Sequence, residues 1–220
     1  TQGVSSAASD VYKRQRDMWT QVVDIELPKI VAFERPQGGE SAVSEAAEML
    51  SNAAFPVILN GAGVVLADAF SDVAALAERL DAPVCVGYQH NDAFPGSHPL
   101  FAGPLGYNGS KAGMELISKA DVVLALGTRL NPFSTLPGYG IDYWPTGAKI
   151  IQVDINPDRI GLTKPVAVGI IGDAKKVAQG ILSRLSDTAG NAGRDARKNL
   201  IATTKSCLLY TSPSPRDVEE

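Results

Sequence analysis

Four stretches of this sequence place together residue types that could hold or transform a ligand. Asn60-Gly61-Ala62-Gly63 directly follows an apolar run, and glycines there would let backbone N–H groups approach a phosphate with no Cβ in the way. Leu66 stands where a dinucleotide fingerprint has its third glycine, and Gly87 and Tyr88, rather than an acidic residue, close the second apolar run. A G-x-G of this kind serves a tight strand-to-helix turn as readily as a phosphate.

The second stretch runs from Gly87 to Gly109 and carries both histidines, His90 and His98, with Asn91, Asp92 and Phe94 between them. It is long for a strand-to-helix connection, and long ordered loops of this kind often carry function. No serine, cysteine or further ligand stands at a diagnostic distance, so loop packing competes with catalysis here and no metal site is expected. In the third stretch Arg129 follows an apolar run, where its guanidinium could fork onto a phosphate or carboxylate, or form a surface ion pair. The fourth, Asp154-Ile155-Asn156-Pro157, puts a carboxylate at a strand end, suited to a ribose hydroxyl or to capping the next turn.

The elements that must position these residues alternate. Helical spacing of Val43, Ala46, Ala47 and Leu50 predicts a helix over 41–51, and Val73, Leu76, Ala77 and Leu80 predict another over 68–80. Runs rich in apolar residues at 55–61, 82–87, 121–127, 149–155 and 166–172 read as strands, and those at 82–87 and 121–127 lack polar alternation, as strands covered on both faces do. Ser110 can cap a helix through Lys119, and Asp173 can cap one that places Ala174, Val177, Ala178, Ile181, Leu182 and Leu185 on a single stripe. The expectation is a doubly wound, Rossmann-like α/β domain: five or six parallel strands in three layers, with ligands sought beyond the carboxyl ends of the strands.

Composition narrows the function classes. With 220 residues, 45% of them hydrophobic, one sizeable core is expected, and a net charge of −4 gives no basic face for nucleic acid. Cys85 and Cys207 form no paired spacing, so neither a disulfide framework nor a zinc site is expected and a reducing cytoplasm is the natural compartment. No apolar stretch approaches a membrane span.

The organisation expected along the chain has five parts. Residues 1–15 and 207–220 are polar or Ser-Pro-rich, resemble translated adapter sequence, and are expected to be non-native or disordered. Residues 39–187 form the α/β domain, between a linker at 16–38 and a polar, partly helical linker at 188–206.

The strings NGAGVV, ADVVLALGTRL and KIIQVDINPDRIGLTK, together with the long segment 87–145, resemble the central domain of thiamine-diphosphate-dependent enzymes from about Arg16 to Lys205. Within that family the likeness is to the acyltransferases that act on sulfoacetaldehyde. It implies an intact enzyme that cleaves sulfoacetaldehyde at a thiazolium ylide, releases sulfite and passes the acetyl group to phosphate, using thiamine diphosphate and magnesium held by domains on either side. On that reading this chain alone is not catalytic, its partners are the flanking domains of its own polypeptide, and the intact enzyme is a homo-oligomer. Relatives such as acetohydroxyacid synthase and oxalyl-CoA decarboxylase hold FAD or ADP in this domain. Gly61, Gly63, Arg129, Asp154 and Asp173 match the positions they use. His90, Asn91, Asp92 and Phe94 would, by the same analogy, wall one side of the active-site cleft. Two other readings stay open: a self-sufficient FAD-, ADP- or NAD-binding module, and a purely structural spacer.

Overall fold

The structure is a computed structural model and describes Lys29, residues 34–107 and residues 109–211. The compact α/β unit begins at Arg35. The expected tail at 1–15 lies outside the described residues, as do residues 212–220 and most of the expected linker at 16–38.

Six strands form one sheet: β1 Pro56–Asn60, β2 Val84–Gly87, β3 Phe101–Leu105, β4 Val122–Leu126, β5 Lys149–Asp154 and β6 Val168–Ile171. Every pairing is parallel and the order is β3-β2-β1-β4-β5-β6. The apolar runs become strands because β1, β2 and β4 are buried at every residue, which polar alternation would not tolerate. Strand β6 alternates buried and exposed positions, as an edge strand should. Strand order reverses between β1 and β4, and the connections leaving their carboxyl ends diverge to opposite sides.

Helices α1 Glu40–Ser51, α2 Ala62–Leu66, α3 Phe70–Leu80, α4 Lys111–Ile117, α5 Ala174–Leu182 and α6 Arg194–Thr211 complete the fold. Helices α1, α3 and α5 bury the stripes read from their spacing, including Val43, Leu50, Leu76 and Val177, over the face of the sheet that carries Ile58 and Leu124. The opposite face, with Leu59 and Val123, packs against Met114 and Leu116 of α4 and Ile201 of α6. Adjacent residues of β1 thus enter two separate cores, the period-two geometry of a strand covered on both sides. Ser110 caps α4 by accepting from the Gly113 N–H at 3.3 Å, and Asp173 caps α5 by accepting from Lys175 and Lys176 at 3.0 and 3.1 Å.

Three local features depart from the sequence reading. The segment 87–109 is not one loop: it contains a 3-10 turn at Asn91–Ala93 and the edge strand β3. Gly103, at φ +101°, and Pro104 hide that strand in the sequence, and both are tolerated because β3 is paired on one side only. The helix expected over 68–80 begins at Phe70 and is preceded by the separate short α2, the break falling at Asp68 with φ +52°. The segment 188–206 carries most of α6, which continues to Thr211, past the Cys207 start of the expected tail.

Beside the packing of Ile201, a buried cation anchors helix α6. Arg197 is 1% exposed, and its guanidinium donates to the carbonyl oxygens of Leu80, Asp81, Ala54, Gly190 and Ala192. Leu80 and Asp81 close α3, so the cation meets carbonyls that the helix itself leaves without partners. Desolvation lowers the Arg197 proton affinity, while nearby Asp81 opposes that effect. Arg194 and Lys198 pair with the Asp81 carboxylate at 2.6 and 3.4 Å.

Candidate ligand cavity at the carboxyl edge of the sheet

A cavity of about 560 Å³ opens over the reversal in strand order, a size that suits a small-molecule ligand. Connections after five strands line it: Gly61–Gly63 after β1, Gly87–His90 after β2, Gly127–Arg129 after β4, Asp154–Asn156 after β5 and Gly172–Ala174 after β6. All five positions singled out for a nucleotide, Gly61, Gly63, Arg129, Asp154 and Asp173, stand on this one cavity.

Their local roles differ. The Gly61 and Gly63 N–H groups donate to the carbonyls of Leu126 and Gly127 at 3.1 and 2.9 Å, so these two amides are occupied within the fold. A Cβ on Gly61 would lie 2.6 Å from the Gly127 carbonyl oxygen, and one on Gly63 would lie 2.6 Å from the Gly127 Cα. The glycines therefore let the turn after β1 press against the turn after β4, the tight-turn role that the sequence left open beside phosphate binding.

Asp173 is also fully engaged. One carboxylate oxygen caps α5, and the other accepts from Arg35 at 3.3 Å. Asp154 accepts from the Asn156 N–H at 2.9 Å through one oxygen, leaving the other without a partner among the described residues. Arg129 is exposed, and neither it nor Arg159 has an ion pair or side-chain hydrogen bond among the described residues. Among the described residues the cavity thus presents two guanidinium groups and one carboxylate oxygen without partners, with exposed Leu66 and Ile155 supplying apolar surface.

Of the residues expected to wall an active-site cleft, His90 lines the cavity, whereas Asn91 and Asp92 are exposed on the 3-10 turn beyond it. Phe94 is 1% exposed and packs edge-on against His98, with ring centroids 4.9 Å apart, so it faces the core of this unit. His98 accepts from the Leu100 N–H at Nδ1 and meets Glu78 at Nε2, away from the cavity. The sequence reading missed Arg35 and Arg159; both fall outside the strand-end positions that direct attention in such a fold.

Groups with displaced proton affinities lie elsewhere. Burial pushes the Cys85 thiol up to about 12. Tyr143 is also pushed up to about 12, chiefly by burial, opposed by a hydrogen bond with the Gly106 backbone. Desolvation lowers Lys205. Among the described residues no three or more His, Cys, Asp or Glu side chains are placed to hold a metal ion. The cavity offers means of binding an anion with a polar edge rather than a nucleophile paired with a base.

Comparison with known proteins bears on the family and the fold. The family model described as "Thiamine pyrophosphate enzyme, central domain" matches residues 43–181. The chain is 80% identical over 191 residues to the sulfoacetaldehyde acetyltransferase of Roseovarius nubinhibens, covering 87% of this chain and 32% of that protein. It is 70% identical over 191 residues to the enzyme of the same name from Rhodobacter capsulatus, again over 87% of this chain and 32% of the relative. The chain therefore spans about a third of the length of the curated relatives it matches. Among solved structures, benzoylformate decarboxylase from Polynucleobacter necessarius superposes with a TM-score of 0.58 at 22% identity, over 79% of this chain and 32% of that one, which is a likeness of fold.

Proposed function

The chain belongs to the thiamine pyrophosphate enzyme central-domain family, and from that premise we propose that it is the middle portion of a sulfoacetaldehyde acetyltransferase. The observation that carries the proposal is the 80% identity to a relative of that name, maintained over 87% of this chain. On this reading the whole protein converts sulfoacetaldehyde and phosphate to sulfite and acetyl phosphate. Residues 39–187 are its central domain, 16–38 and 188–206 lead to flanking domains, and the tails at 1–15 and 207–220 are extraneous to the enzyme. A cytoplasmic location and a homo-oligomeric whole protein belong to the same proposal; Cys85, a free and buried thiol, fits a reducing compartment.

Thiamine diphosphate and magnesium would supply the electron sink and its anchor in that reaction. The described residues of this chain offer no carboxylate cluster that fits the metal, so no step through either group is assigned to them. The contribution of this chain is the carboxyl edge of its sheet, held rigid by the Gly61–Gly63 and Gly127 contact and presented toward the rest of the protein.

A second reading concerns the cavity itself: it takes a nucleotide such as ADP or FAD as a resident group. Arg129 and Arg159, unpaired among the described residues, suit a diphosphate, and the remaining Asp154 oxygen suits a ribose hydroxyl. Calorimetric titration of the chain with ADP and FAD tests this. The main proposal is tested by replacing the matching third of the full-length Roseovarius nubinhibens relative with this chain and assaying sulfite release, beside the isolated chain.

A further inference from the structure

We infer that an uncharged aromatic patch beside the cavity seats a flanking domain of the longer polypeptide. The inference rests on the reading that this chain is the central portion of such a protein. Tyr107, Phe133, Leu136 and Tyr139 are 62%, 56%, 40% and 67% exposed, and the Tyr88 ring lies 6.3 Å from that of Phe133. They come from the connections after β2, β3 and β4, and hydrogen bonds hold two of those connections together. The Tyr107 N–H donates to the Phe133 carbonyl at 3.0 Å, and the Tyr139 hydroxyl donates to the Gly109 carbonyl at 3.1 Å.

Two further features set this surface apart. Residues 131–141 contain no Asp, Glu, Lys or Arg, in a chain that is 20% charged. Tyr139 sits at φ +55°, a conformation that disfavours a large side chain, at the tip of a turn closed by a bridge between Gly138 and Ile141. The fold thus holds an aromatic side chain in a costly backbone conformation in order to present it outward.

Contiguous apolar patches are uncommon on free-standing soluble proteins. Aromatic enrichment with depletion of charge is the composition of an interface core. Nucleic acid would require cations, and any other charged partner charges of the opposite sign, that residues 131–141 lack. A permanently available occupant follows from the comparison of lengths: relatives of this chain carry about two-thirds of their sequence outside the matched region. The patch also adjoins the Tyr88–His90 wall of the cavity, so a domain docked there would close the cavity from the β2 side.

The test uses the full-length Roseovarius nubinhibens relative carrying this chain in place of its matching third. Tyr139→Cys and Phe133→Cys are compared with Glu45→Cys on exposed α1, and alkylation is followed peptide by peptide. The patch thiols are expected to alkylate at least about tenfold more slowly than the α1 thiol in the full-length protein, and at comparable rates in the isolated chain. Buried Cys85, unlabelled throughout, marks the fold as intact. Patch thiols as reactive as the α1 thiol in the folded full-length protein would overturn the inference. So would equal protection in the isolated chain, which would point to a second copy as the occupant. Sulfite release is scored on the same proteins: protection without sulfite release sinks the proposed function alone, and sulfite release with reactive patch thiols sinks the docking surface alone.

Discussion

Gly63 donates its backbone N–H to the Gly127 carbonyl at 2.9 Å, and each glycine lies where a Cβ on the other would stand 2.6 Å from its Cα. This approach joins the turns on either side of the reversal in strand order, and the floor of the cavity depends on it. Gly127 also adopts φ +60°, which an L side chain rarely accepts. Gly63→Ala and Gly127→Ala should each destabilise the chain by about 2 kcal/mol or more, since backbone rather than a flexible side chain must move. Urea midpoints check this; a loss below about 0.5 kcal/mol would show that the turns can separate freely.

Arg197 should be the most sensitive position outside the sheet. Replacement by Met leaves five carbonyl groups without their donor, and the expected loss is at least about 3 kcal/mol. Arg197→Lys should recover only a small part, because an ammonium group offers three donors and no planar fork. Denaturant unfolding of the two variants, with helix content as the signal, decides the point.

Much of the fold is legible in the sequence, and the exceptions have physical causes. The five strands expected from it announce themselves as short runs rich in apolar residues, and the helical stripes of α1, α3 and α5 match their buried residues closely. Strand β3 is hidden because Gly103 and Pro104 are tolerated at an edge and give no strand signal. The docking of α6 is hidden because its polar anchor is one arginine whose partners are all backbone carbonyls distant in sequence or across a loop, which no side-chain pattern records. The cavity residues are found by their place at strand ends, but sequence does not tell a free carboxylate from a saturated one. Asp154 keeps an oxygen without a described partner, whereas Asp173 is used up by Arg35 and the α5 cap.

The same contrast separates the cavity residues by experiment. If a nucleotide binds, Arg129→Ala and Arg159→Ala should each weaken ADP by about tenfold or more, as loss of a charge-assisted hydrogen bond does, and affinity should fall with added salt. Asp173→Ala should instead lower stability by about 1 kcal/mol through loss of its cap, with little change in affinity. Titration calorimetry on the three variants separates the two outcomes. Equal affinity in the arginine variants would move the ligand away from them.

Alkaline stability should report the buried thiol. The folded pKa of Cys85 is raised from 9.0 to about 12, so the unfolded chain releases its proton first as pH rises. Its contribution is intact below about pH 9 and is lost between about pH 9 and 12, at up to about 1.4 kcal/mol per pH unit. Tyr143, raised from 10.0 to about 12, acts in the same direction from about pH 10 upward. Cys85→Ala should flatten the first part of this decline in urea midpoints taken across the range; an unchanged slope would contradict the assignment to the thiol.

The proposed function stands or falls on the products released by the full-length Roseovarius nubinhibens relative in which this chain replaces the matching third. With sulfoacetaldehyde, phosphate, thiamine diphosphate and magnesium supplied, it should release sulfite and acetyl phosphate in equal amounts, while the isolated 220-residue chain releases neither. A folded replacement protein that yields no sulfite, or an isolated chain that yields sulfite by itself, would contradict it.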